Sequence, residues 1–293
     1  MPMGQPPLNK PLNKKLRLGR IEFLNVLPLY YPLEAGMTPH DFEVIQGPPA
    51  MLNDLAARGE LDVSVVSSIE YARNAERYFL LPDLSISCNG PVGSVIFLSR
   101  EPIENLAGKK IMLTTQSHTS VALLRMLFLL RFGIEVEFES GSASAALARG
   151  ELPLALLTIG DEALRLRTHE SYPYRMDLGE AWRSWTGLPF VFATWVIQRK
   201  SVEEWNGHLE SAINSLFLAK KWGCSHIDVI CREAAKRGPL DYDQLQEYYR
   251  GLGYNLDAGE QAGLRLFFSR LVEIGEIREI PSMEIYSPLR SVA

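Results

Sequence analysis

Cysteine is scarce in this 293-residue chain, which has three: Cys88, Cys224 and Cys231. So small and odd a number excludes a disulfide framework and fits a reducing compartment. Long apolar runs are also missing. A membrane-spanning helix needs about 20 mostly apolar residues. The longest candidate, Val121–Leu130, is interrupted by Arg125 and followed by Arg131. The N-terminal stretch carries charge and proline but no apolar centre, so it does not read as a secretory signal. Met1 to about Lys15 reads instead as a disordered leader rich in Pro, Asn and Lys. Together these absences predict a soluble, cytoplasmic protein. Positive charge is not in excess either. A net charge of −5 leaves no footprint for nucleic acid, although helix N-termini can hold an anion whatever the net charge.

Reactive groups are sparse too. The five histidines, His40, His118, His169, His208 and His226, do not pair at ligand spacing, and no Cys-x-x-Cys is present. No metal site is expected. A G-x-S-x-G elbow and a G-x-G-x-x-G fingerprint are both lacking, so nothing marks a nucleophile or a dinucleotide site, and no cofactor is expected. Cys224 and Cys231 share a helical region and read as packing rather than a redox pair.

What the chain does have is a stretch used twice. Arg58–Ala72 reads RGELDVSVVSSIEYA and Arg149–Ala163 reads RGELPLALLTIGDEA. Each copy has a Gly suited to a helix stop, an apolar run and a small polar turn. The runs Val63–Val66 and Leu154–Leu157 read as parallel strands covered on both faces. Two copies predict two similar α/β lobes, against the plainer reading of RGEL as a common helix-to-strand connector.

In open parallel sheets ligands bind at the carboxyl ends of strands, so the loops there supply the candidates. Asn25 follows the strand Leu16–Ile21 and precedes Pro28, which suits a first helical turn; a capping role is the alternative. Ser67 and Ser68 end the first repeat strand and can cap, bind, or both. Gly93 and Ser94 precede the strand Val95–Leu98. The loop 116–120 leads from strand Ile111–Thr115 into helix Val121–Phe132, which Gly133 stops. Its Thr119 and Ser120 suit an anion cradle, with plain N-capping by Ser117 or Thr119 as the alternative. Gly160 lies in the second repeat turn, where Asp161 reads as an N-cap. Trp182, Trp185 and Phe190 read as core rather than cleft. Helices are predicted over 202–222, 227–236, 242–251 and 258–274.

Several strings together resemble the menaquinone-biosynthesis family, over about Leu16 to Glu273. They are R-I-E-F-L-N-V-L-P-L-Y (20–30), S-I-E-Y (68–71), L-P-D followed by N-G-P-V-G-S-V (81–95), T-S at a helix start (119–120) and D-L-G-E-A-W (177–182). The match is closer to the chorismate dehydratases than to the sister naphthoate-forming enzymes. The sister enzymes are expected to carry a His in the second repeat turn, which here reads Thr158-Ile159-Gly160-Asp161. The resemblance implies an α/β, two-lobed fold of the periplasmic-binding-protein type II kind, with its cleft between the lobes and the C-terminal helices on the first lobe. Lobe 1 is expected over 16–98 plus 197–293 and lobe 2 over 99–196. The implied activity removes water from chorismate, a small dicarboxylate, without cofactor, metal, nucleic acid or membrane. Asn25 and Ser94 are the implied catalytic pair, and Ser67, Ser68, Gly93, Thr119, Ser120 and Gly160 the implied binding residues. The sister activity and a non-catalytic carboxylate-binding module remain the alternatives.

Overall fold

A computed structural model describes residues 14–205 and 207–287. The expected leader therefore falls outside the described residues except for Lys14 and Lys15. The first lobe opens with strand β1 (Leu16–Ile21), a short 3-10 turn over Leu24–Val26 and helix α1 (Leu27–Glu34). Strand β2 (Phe42–Gly47), helix α2 (Pro49–Ala57), strand β3 (Val63–Ser67), helix α3 (Ser68–Arg73) and the long strand β4 (Tyr78–Cys88) follow. The second lobe runs from β5 (Val95–Ser99) and β6 (Lys110–Thr114) into α4 (His118–Met126), which continues as a π-helical turn over Leu127–Phe132. Gly133, in the left-handed region at φ 65°, stops it as expected. Then come β7 (Glu137–Gly141), α5 (Ala143–Ala148), β8 (Ala155–Ile159), α6 (Gly160–Leu166), β9 (Tyr174–Asp177) and α7 (Leu178–Thr186). The chain returns as β10 (Phe190–Gln198) and ends in helices α8 (Arg199–Trp205), α9 (Gly207–Ser225), α10 (Ile227–Ala235), α11 (Tyr242–Arg250) and α12 (Ala258–Glu273).

The strands form two five-stranded sheets, ordered β2-β1-β3-β10-β4 and β7-β6-β8-β5-β9. In each, three strands run parallel and the fourth, β10 or β5, is antiparallel to its neighbours. The repeat strands are β3 and β8, each central. Val63–Val66 and all of β8 are buried, as strands covered on both faces must be. The sheets thus have one plan used twice.

The expected lobe boundaries need correction. β5 pairs with β8 and β9, so Val95–Leu98 belongs to the second sheet and the first crossover is 89–94, not after Leu98. β10 pairs with β3 and β4 from Phe190 onward, so the return crossover precedes Phe190 and does not follow Val196. Every residue of β5 is buried, so its sequence shows no alternation that assigns it to one sheet or the other.

The C-terminal helices gather on the first lobe. α9 and α10 pack on α1, and α12 lies across β10 and α3 and reaches α4 of the second lobe. α9 approaches α1 so closely that a Cβ at Gly223 would sit 1.8 Å from the Pro28 carbonyl oxygen; only glycine permits that contact. Trp182 and Phe190 are core residues, and Trp182 Nε1 donates to the Pro189 carbonyl. No helix among the described residues is long and apolar enough to cross a membrane.

Candidate active site

Because both sheets are built on βα units, the strand ends and the following helix N-termini of the two lobes converge on one cleft. Counting the open space at its mouth, the cleft spans about 740 Å³. Walls from Ile21, Val65, Ile86, Val95, Phe192 and the Phe23 ring are apolar. The polar groups come from Asn25, Asn53, Ser67, Ser94, Gln116, Ser117, His118 and Ser120. Among the described residues, no Asp, Glu, Lys or Arg lines the cleft. Helix starts at the cleft include those of α2 and α4, whose first-turn backbone N–H groups carry partial positive charge.

Asn25 stands in the 3-10 turn before α1. It caps neither element through its side chain: the caps are Phe23 and Val26, and neither gives a side-chain hydrogen bond. Its Oδ1 is buried and has no hydrogen-bond partner, although buried polar atoms are nearly always paired. The backbone around it is pinned by two tyrosines, with Tyr249 donating to the Leu24 carbonyl and Tyr254 to the Asn25 carbonyl, each at 2.8 Å. Ser94, also buried, is held at both ends. Its Oγ accepts from the Tyr248 hydroxyl at 3.1 Å, and its carbonyl accepts from Gly160 N–H at 2.7 Å. Gly160 itself has φ +57°, and a Cβ there would lie 3.0 Å from the Phe23 ring. The glycine is needed both for backbone conformation and for the wall of the cleft.

Ser67 faces the cleft but is also the N-cap of α3, accepting from Glu70 N–H at 3.3 Å. It is paired reciprocally with Asn53, whose Nδ2 donates to Ser67 Oγ and whose Oδ1 accepts from Ser67 N–H. Ser120 accepts from Ser117, which caps α4. Three candidates do not line the cleft. Ser68 donates to the Val191 carbonyl at 2.6 Å, inside the first lobe. Gly93 donates its N–H to Asp177 Oδ2 at 2.7 Å. The Thr119 hydroxyl accepts from Ile69 N–H at 3.1 Å, joining α4 of one lobe to α3 of the other. In each case protein groups already hold the polar atom that sequence alone offers to a ligand.

Asp161 is not the cap of α6. That position is Ile159, with no side-chain bond, and Asp161 sits in the first helical turn. Burial raises its pKa, against a bond from the Leu24 backbone N–H and the charge of Arg165. Asp177 caps α7 and ties it to the first crossover. Its carboxylate accepts from Val92 and Gly93 on that crossover and from Gly179 and Glu180 in the first turn of α7. Burial nonetheless raises its pKa, with those bonds opposing.

Sequence reading passed over Asn53, Phe23, Phe192 and Gln116. Asn53 carried a usable signal, since it is a polar residue next to Leu52 in a short, Pro-led helix. It is buried, which only a polar partner or a ligand accounts for. The arrangement suits a small anionic ligand with an apolar ring, held by neutral donors and acceptors.

Two facing α/β lobes, two crossovers and a cleft at the strand ends define the scaffold of two-lobed ligand-binding proteins. The chain has a TM-score of 0.64 to a Candida albicans protein described as having the generic periplasmic binding protein structural fold, at 10% identity, covering 94% of this chain and 100% of that one. It has a TM-score of 0.65 to the alkanesulfonate-binding protein of Xanthomonas axonopodis pv. citri, at 15% identity over 92% of this chain and 95% of the other. Among known sequences it is 30% identical to a chorismate dehydratase of Thermus thermophilus, over 87% of this chain and 94% of that protein. It is 31% identical to a chorismate dehydratase of Campylobacter jejuni, over 63% of this chain and 69% of that protein. The profile of the family described as menaquinone biosynthesis matches residues 16–273. The chain belongs to the menaquinone biosynthesis family.

Proposed function

We propose that this protein is a chorismate dehydratase, a carbon–oxygen lyase of the cytoplasm acting in the futalosine route to menaquinone. It converts chorismate to 3-[(1-carboxyvinyl)oxy]benzoate and water. The observation that carries this reading is the unpartnered Asn25 Oδ1 sharing one uncharged cleft with Ser94, in a chain similar to a chorismate dehydratase along most of its length.

The ring proton beside the enolpyruvyl ether is lost, the hydroxyl on the neighbouring carbon leaves, and the ring becomes aromatic. Aromatisation drives the reaction, so the protein's task is geometric. Holding a near-attack conformer removes roughly 7–11 kcal/mol of barrier in favourable cases. The substrate's own enolpyruvyl carboxylate takes the proton and passes it to the departing hydroxyl as water forms. Asn25 Oδ1 accepts from the substrate hydroxyl while its amide N–H groups orient the carboxylate, and Ser94 hydrogen-bonds beside it. The first turn of α4, with Ser120, holds the other carboxylate. His118, at the cleft rim, is the one imidazole near enough to contest the base role.

Incubating the pure protein with chorismate tests the reading. The ultraviolet spectrum should change to that of an aromatic benzoate. An unchanged spectrum with chorismate bound points to a carboxylate-binding module and removes the enzyme reading. The sister naphthoate-forming activity is disfavoured by the repeat turn Thr158–Asp161, which has no His; turnover of its cyclic futalosine substrate in place of chorismate reverses the choice. Lobe closure accompanies binding, and identical scattering profiles with and without product would remove that step.

A further inference from the structure

Ser94 has its hydrogen-bonding polarity set by a side chain outside the cleft. A serine hydroxyl has one hydrogen and two acceptor lone pairs. Tyr248, on α11, places its buried hydroxyl 3.1 Å from Ser94 Oγ and donates to it. The backbone of Ser94 is fixed at the same time, its carbonyl bound by Gly160 N–H. The ring of Tyr248 also packs beside Gly93, where a Cβ would lie 3.5 Å from the tyrosine ring carbon Cδ2. From the same helix and the loop after it, Tyr249 and Tyr254 hold the carbonyls of Leu24 and Asn25.

We infer that Tyr248 is a positioning residue for the dehydration: by filling an acceptor site on Ser94 Oγ, it leaves the serine's single hydrogen to point into the cleft and makes Ser94 a donor to the substrate. This rests on the dehydratase reading above. It gives α11 a role that packing alone does not require, since α11 and the loop after it then hold both members of the Asn25–Ser94 pair. Burial also pushes the Tyr248 hydroxyl's pKa upward, which keeps the donor protonated.

A double-mutant cycle tests it. Tyr248→Phe keeps the ring and its packing and removes only the donor. It should lower kcat for chorismate about tenfold, the equivalent of about 1.4 kcal/mol, with KM changed less than about threefold. In a Ser94→Ala background the same substitution should change kcat less than about twofold, because the residue it acts through is gone. An equal loss in both backgrounds assigns Tyr248 to packing and overturns the inference, as does a wild-type kcat in Tyr248→Phe alone. A wild-type protein with no turnover of chorismate removes the dehydratase reading and this inference together. An active wild type with additive mutants removes the inference alone.

Discussion

The two copies of the repeat share a backbone plan and differ in how they treat their polar groups. At the end of β3 the turn is Ser67-Ser68, and the protein uses both hydroxyls. Ser67 caps α3 and pairs with Asn53, while Ser68 binds the Val191 carbonyl. At the end of β8 the turn is Ile159-Gly160. No side chain caps α6, and the glycine takes a left-handed conformation with its N–H turned to Ser94. The hydroxyls of the first turn bind groups of their own lobe, whereas the glycine of the second turn binds the crossover that carries Ser94. A repeated scaffold therefore gives an asymmetric cleft.

The second turn is the more sensitive place to break this contrast. Gly160→Val forces an L side chain into the left-handed region, costing roughly 1–2 kcal/mol, and drives a methyl into the Phe23 ring. Turnover of chorismate should fall by about a hundredfold or more, and near-wild-type kinetics would show that the glycine conformation is incidental. Next in size, Asn25→Ala and Ser94→Ala should each lower turnover at least about tenfold. Wild-type rates in both would remove them from the mechanism. The first turn should respond in stability instead. Ser67→Ala removes a cap worth about 1 kcal/mol, lowering the melting temperature by about 2–4 °C with a smaller effect on turnover. A large kinetic loss at unchanged stability would make Ser67 a ligand contact and weaken the contrast. The β6–α4 turn supplies the smallest expected change. His118→Gln should cost less than about tenfold in turnover, well short of the 10²–10⁴-fold that general-base catalysis contributes. A loss in that larger range would move the base from the substrate to His118.

Much of the fold was legible in the chain. β1, α2, α10, α11 and α12 fall within a residue or two of their expected spans, because Pro starts, Gly stops and apolar periodicity are local signals. The helix expected over 202–222 is covered by α8 and α9, apart from residue 206, which lies outside the described residues. The site was legible in outline: Asn25, Ser67, Ser94, Ser120 and Gly160 line one cleft. Ser68, Gly93 and Thr119 were not separable from them, because a hydroxyl or N–H at a strand end looks the same in sequence whether a ligand or a distant backbone group takes it. Val191 is 123 residues from Ser68, and Tyr248 is 154 from Ser94.

The sequence by itself determined the repeat, the buried strands, the family and the neutral chemistry of the loops, since these depend on residue type and short-range order. The tertiary structure alone decided which sheet β5 joins, which hydroxyls the protein occupies, and that tyrosines near the C-terminus hold the turns near the N-terminus. Strand pairing and hydrogen-bond satisfaction are long-range matters. A fully buried strand carries no mark of its neighbours, and a polar group shows its partner only when the chain has closed around it.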